Sequence, residues 1–239
     1  MNVRSFHVLV LSVAVLVLPA AADSTDKWIA KARAYLGSES ALNAVTSIHF
    51  TGTLEAPGEI KLPAEIIFQK PHRQRITYTG AKVIEITALD GYDAWLKRVN
   101  AENPVQWQVR LLDAAQVKRL RANTLENLSF YSTRDMKGCT IEFLGDVNVD
   151  GLACVKISFT HSADVVFVRY FEKSTGRLVK TETENGTEIR EEGEVVVKGV
   201  RFPKRVINKA PNGNITSITF DKVAVNEDLP AETFAVPSL

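Results

Sequence analysis

Six dipeptides that end in glycine punctuate this chain: Asp90-Gly91, Asp150-Gly151, Thr175-Gly176, Asn185-Gly186, Lys198-Gly199 and Asn212-Gly213. Between them, apolar and polar residues alternate with a period of two. Ile48, Phe50 and Leu54 alternate with His49, Thr51 and Thr53, and Ile60, Leu62, Ala64, Ile66 and Phe68 continue the pattern. Such alternation describes strands with one face buried. Asp-Gly and Asn-Gly supply the positive φ angles of tight hairpins. Connections this short make neighbouring strands antiparallel, because a parallel pair needs a crossover of a dozen residues or more. The expected topology is a largely up-and-down antiparallel sheet.

Two departures from the period of two are helical. Trp28, Ile29, Ala32, Tyr35 and Leu36 recur at helical spacing behind the capping residues Asp23-Ser24 and stop at Gly37, and a short helix is expected from Ser38 through Val45. The second departure is the stretch from Arg110 to Arg121, where Leu111, Ala114, Val117 and Leu120 recur every third residue without glycine or proline, continuing loosely to Leu128. An amphipathic helix inserted between two sets of strands must lay its apolar stripe on the sheet, which makes it a natural lid.

The beginning of the chain carries one positive charge at Arg4, an apolar run from Phe6 to Leu18, and then Pro19-Ala20-Ala21-Ala22. This is the layout of a cleavable secretory signal peptide over 1–22, too short an apolar run for a spanning helix and closed by a helix-breaking proline. One mature domain over 23–239 and export to the periplasm follow as expectations. Removing Arg4 from the 29 Lys and Arg leaves as many basic as acidic residues, the latter being 28, so no nucleic-acid partner is indicated. Cys139 and Cys154 meet an oxidising compartment, yet a hairpin at Asp150-Gly151 sets Cys154 opposite Val147 and leaves Cys139 roughly 25 Å along the strand. Two unpaired thiols are expected.

No residue pattern points to catalysis. His49, His72 and His161 are isolated in sequence, outside any His-Glu-x-x-His, nucleophile-elbow or Cys-x-x-Cys context, so no catalytic residue, metal or cofactor is assigned. Glu182, Glu184, Glu188, Glu191, Glu192 and Glu194 alternate with Thr181, Thr183 and Arg190 as the wet face or edge of two late strands. Lys70, His72, Arg73 and Arg75 read as a solvated strand end. What stands out is apolar supply. The run from Val165 to Phe171 is apolar on both faces, where antiparallel sheets usually wet one. With Phe50, Phe68, Ile84, Trp95, Trp107, Phe143, Phe159 and Phe167 there is material either for a filled core or for a hydrophobic ligand pocket.

Several strings, in order, resemble the LolA/LolB superfamily of periplasmic lipoprotein carriers and outer-membrane lipoprotein-sorting-like proteins. They are Ala34-Tyr35-Leu36-Gly37 with Val45-Thr46-Ser47-Ile48, Gly52-Thr53-Leu54, Lys70-Pro71-His72-Arg73-Gln74-Arg75, Asp90-Gly91-Tyr92-Asp93-Ala94-Trp95, Tyr170-Phe171-Glu172 with Thr175-Gly176-Arg177-Leu178, and Gly199-Val200-Arg201-Phe202-Pro203. The resemblance implies an α+β fold: a mostly antiparallel, half-open β-barrel covered by an N-terminal helix and an inserted amphipathic helix. It also implies an apolar cavity for acyl chains, with those eight residues as the expected lining, and a lid latch before a strand proline. The matching position is Lys70, where the carrier has arginine; lysine lacks the planar fork.

The expected function is a monomeric periplasmic carrier for a lipid or a lipoprotein acyl chain, working with inner- or outer-membrane lipoprotein machinery. The alternative expectation is a periplasmic sensor or protein-interaction domain of the same fold with no transport role. An enzyme or peptidase accessory domain would need a clustered acid, base or nucleophile.

Overall fold

In the computed structural model, residues 20–132 and 138–237 are described. The apolar run Phe6–Leu18, and with it most of the expected signal peptide, lies outside them. Ala20–Ala22, its expected end, head the first helix. No helix among the described residues is long and apolar enough to cross a membrane.

Among the described residues, three helices, α1 (Ala20–Leu36), α2 (Glu39–Asn43) and α3 (Ala114–Ser129), accompany thirteen strands. The strands before α3 are β1 (Ser47–Ala56), β2 (Ile60–Gln69), β3 (Arg73–Thr79), β4 (Val83–Asp90), β5 (Asp93–Asn100) and β6 (Trp107–Leu111). After α3 come β7 (Thr140–Val149), β8 (Leu152–Ser162), β9 (Val165–Glu172), β10 (Leu178–Thr183), β11 (Glu188–Val197), β12 (Val200–Lys209) and β13 (Ile215–Val225), then a 3-10 turn at Ala231–Thr233.

All thirteen strands form one antiparallel sheet in the order β6-β5-β4-β3-β2-β1-β13-β12-β11-β10-β9-β8-β7. Every neighbour but one is a sequence neighbour. The exception, β1 against β13, brings the two halves together at the centre and leaves β6 and β7 as the two free edges. Helix α3 runs between those edges, and its 16 residues span about 24 Å. A sheet this wide curls, so the fold is an open barrel with a helix laid across it.

The turn chemistry is as the dipeptides dictate. Gly91, Gly151, Gly176, Gly186, Gly199 and Gly213 all have positive φ, and Asp150 and Lys198 join them. The Asp150-Gly151 hairpin sets Cys154 opposite Val147, and both cysteines are free. Two glycines are required by close approach rather than by a turn alone. At Gly52, where the β1–β13 register shifts, an added Cβ would stand 2.0 Å from the Thr219 carbonyl oxygen. At Gly176 it would stand 2.6 Å from the Lys31 oxygen, so this hairpin seats α1 on the sheet.

The helix caps follow the sequence as well. Ser38 caps α2 by accepting from the Ala41 amide, and Asp113 caps α3 in a reciprocal box with Gln116. That box moves the start of α3 to Ala114. Arg110 and Leu111, expected within the helix, instead complete β6 opposite Leu96 and Trp95. The apolar stripe shifts accordingly. Leu111 is exposed, and the buried positions are Ala122, Thr124, Glu126, Leu128 and Ser129, so the C-terminal half of α3 sinks into the barrel.

Two main cores result. Leu42, Val45, Ile48, Phe50, Ile66, Phe68, Leu128, Phe130, Phe202 and Ile218 pack at the centre of the sheet. Ile29 and Ala32 of α1 pack on Val155, Ile157, Phe159 and Phe171. Each large side chain removed from water contributes about 1.5–3 kcal/mol.

Candidate functional site: a lidded cavity

A cavity of about 310 Å³ lies between the concave face and the C-terminal half of α3. One wall is apolar: Ile48 and Phe50 from β1, Ile66 and Phe68 from β2, Phe202 and Val206 from β12, Ile218 and Phe220 from β13. The ladder produces this wall, because Phe50 faces Ile66 and Ile48 faces Phe68 across β1–β2. The roof is Asn123, Asn127, Phe130 and Tyr131. The opposite end is polar, with Arg169, Thr181 and Glu191. Two larger hollows, of about 490 and 810 Å³, are grooves along the outer sides of α1 and α3.

Of the eight expected lining residues, Phe50, Phe68 and Phe167 meet at this cavity. Phe159 is fully buried beside Phe167 and Tyr131, and Phe143 packs against the same core. Ile84, Trp95 and Trp107 point the other way. Phe68 pairs with Gln74, Gln74 with Leu89 and Leu89 with Ala94; that row is concave, so Trp95, one residue on, is convex. There its indole N–H donates to the Phe234 carbonyl at 3.1 Å, under a C-terminal segment whose Phe234 ring also meets Arg73. Ile84 and Trp107 share the convex side through their common partner Val99, and Lys97 lies 4.2 Å from the Trp107 ring centre.

The lid is held by side chains that no local pattern revealed. Arg33 of α1 is buried, and its Nη1 donates to the carbonyls of Ser129 and Phe130, each at 2.8 Å. Its Nε and Nη2 meet both carboxylate oxygens of Glu39 at 2.7 and 2.6 Å. Helix C-terminal carbonyls lack intrahelical partners and carry partial negative charge, so a guanidinium is well matched to them. Lys70, the expected latch, lies before Pro71 and donates its backbone N–H to the Thr46 carbonyl at 2.8 Å. Elsewhere along α3, Arg121 donates to the Gly91 carbonyl at 2.5 Å, Lys118 pairs with Asp164 at 2.9 Å, Arg119 pairs with Glu184, and Thr124 donates to buried Gln74 at 3.2 Å. Glu184, expected on a wet edge, is therefore a lid anchor.

Beneath the lid sits a buried polar cluster. Glu126 of α3 receives His161 Nε2 at 2.5 Å on one oxygen and ion-pairs with Arg169 through the other. The Arg169 guanidinium stacks over Phe159 and Tyr131, 4.6 and 4.9 Å from the ring centres. Glu191, itself partly open to solvent, lines the same cavity, and desolvation by the protein around it raises its pKa despite the nearby Arg169. Cys139 lies beside Glu126 and His161. Burial, with the Glu126 charge, pushes its thiol up to about 11, the opposite of an activated nucleophile. His49 is separate, held by Glu227 at 2.6 Å and Glu65 at 3.0 Å. His72 lines the outer groove of α3 with His161, and burial lowers its pKa.

An open antiparallel barrel roofed by a crossing helix over an apolar cavity is a LolA-like fold. The architecture recurs in a LolA superfamily protein from Nitrosomonas europaea, at 13% identity over 89% of this chain and 97% of that one, with a TM-score of 0.57. It recurs in a DUF1329 family protein from Desulfovibrio piger, at 14% identity over 88% and 97% with a TM-score of 0.57. A domain ascribed to outer membrane lipoprotein sorting, from Vibrio parahaemolyticus, matches at 9% identity over 88% and 97%, again with a TM-score of 0.57. No protein-family model and no curated protein sequence matches the chain.

Proposed function

We propose that this protein is a non-enzymatic carrier that shields one acyl chain, of a lipid or of a lipoprotein, in the cavity beneath α3. The observation that carries the reading is the continuous apolar wall from β2 across β1 and β13 to β12 under a helix fastened at its C-terminal end and at its middle by side chains. Burying a chain there is favourable by about 0.8 kcal/mol per CH₂, so transport needs no catalytic group. A hollow of about 310 Å³ suits one chain better than several. The signal-peptide layout of residues 1–22 supports export, and a periplasmic route between membranes fits a carrier.

The test is native mass spectrometry of the protein purified from the periplasm, together with titration of a fluorescent fatty acid. Co-purified lipid and saturable binding at one equivalent are expected. If neither is found, the carrier reading fails and a sensor domain of the same fold becomes the better account.

A further inference from the structure

We propose that Glu126, Cys139 and His161 form a binding site for a transition-metal ion of the zinc type. The three come from three elements and meet only in the folded chain. Thr140 pairs with Thr160 at the end of the β7–β8 ladder, so Cys139 and His161 fall opposite each other just past it. Helix α3 lowers Glu126 onto the pair. One carboxylate oxygen, one imidazole nitrogen and the thiol sulfur all lie within 4.8 Å of one another. Tetrahedral zinc, with bonds of about 2.0–2.3 Å, holds its donors roughly 3.3–3.8 Å apart. Closing the site therefore takes shifts of about 1 Å, the thiol drawing in while His161 Nε2 and the Glu126 oxygen, 2.5 Å apart, open to admit the ion, all within reach of side-chain rotation.

The donor chemistry selects the ion. Thiolate and imidazole favour zinc and its neighbours over calcium or magnesium, which take oxygen ligands. A histidine–carboxylate ion pair alone would account for Glu126 and His161, but it has no use for the sulfur. The Cys139 thiol is held only weakly among the described residues, by a long contact of 3.7 Å to the Thr140 carbonyl and by the Thr160 backbone. Arg169 ion-pairs with the second oxygen of Glu126, which keeps its charge on the far side of the carboxylate from the thiol and imidazole. Its positive charge weakens cation binding, which makes the site exchangeable rather than structural. An entry path exists, since His161 also lines the open groove outside α3, and that side leaves a fourth position for water. On binding, the metal–sulfur bond replaces the S–H bond and the proton leaves to solvent, with no oxidation of either partner.

The test uses the purified protein, reduced and stripped with a chelator, then titrated with Co²⁺. One equivalent is expected to produce a thiolate-to-cobalt charge-transfer band and the visible bands of a tetrahedral ion, and Zn²⁺ is expected to displace it. C139S and H161N should each abolish the charge-transfer band or weaken binding by about tenfold or more. E126Q leaves Arg169 unpaired and can fail to fold, so the decision rests on C139S, which changes one atom at a half-buried position. Wild-type protein that binds no cobalt at one equivalent, or a charge-transfer band that survives in C139S, overturns the site. Neither result bears on the acyl-chain reading, which is tested with lipid alone.

Discussion

Arg33 Nη1 lies 2.8 Å from the carbonyl oxygen of Phe130, a contact across 97 residues that ties the N-terminal helix to the last turn of the lid. Phe130 ends α3 in the left-handed conformation, with φ of 49°, and its carbonyl is turned toward the guanidinium. The lid is thus fastened by a charge-assisted bond rather than by packing alone. Hydrogen bonds to a charged group contribute about 1.5–3 kcal/mol each.

Arg33→Met should release this end of the lid. Stability is expected to fall by about 2–4 kcal/mol in urea denaturation, since two carbonyls and Glu39 lose their donor. Amide exchange should accelerate in α3 more than in β1 and β2. Equal acceleration everywhere would show that Arg33 supports the whole fold and not the lid.

Arg169 and Glu126 should behave as a coupled pair. Removing either charge leaves the other buried and unpaired, at about 3–5 kcal/mol. R169M and E126Q are each expected to be strongly destabilising, and the double variant to be more stable than either single one. Additive losses in a double-mutant cycle would show that the two act independently.

Glu191 gives the fold a pH dependence of known sign. Its side chain is partly open to solvent on β11, but the cavity wall around it desolvates the carboxylate and raises its folded-state pKa, so the folded protein holds this proton to higher pH than the unfolded chain does. Its contribution is therefore favourable below the unfolded value, about 4.3, and is lost as pH rises through the folded value. E191Q should match the wild type near pH 4 and exceed it near pH 8, read as urea midpoints. A wild-type advantage at pH 8 would reverse the assignment.

The concave and convex aromatics should separate by function. V206F places a ring in the cavity and should weaken fatty-acid binding by about tenfold, equal to about 1.4 kcal/mol. W95F acts on the other face, where it loses the bond to Phe234 and about 0.5–1.5 kcal/mol of stability. Its binding curve should be unchanged. Loss of binding in W95F with none in V206F would put the ligand on the wrong side of the sheet.

What the sequence determined by itself is everything set by neighbours along the chain. The hairpin glycines and the alternation of Ile48, Phe50, Ile66 and Phe68 settle strands, turns and antiparallel order, and Ser38 and Gly37 frame α2 and end α1. These rest on φ preferences and on a side-chain period of two, which act within a few residues. Alternation creates two faces without saying which becomes the inside. Trp95, Trp107 and Ile84 were therefore legible as apolar and not as convex; only the register running from Phe68 through Gln74 and Leu89 to Ala94 decides that. The same holds for the groups of the site. Arg33 meets Phe130, and Glu126 meets His161 and Cys139, across separations that leave no periodic trace in sequence. Only the curl of the wide sheet, with α3 drawn between its two edges, brings those charges close enough to interact.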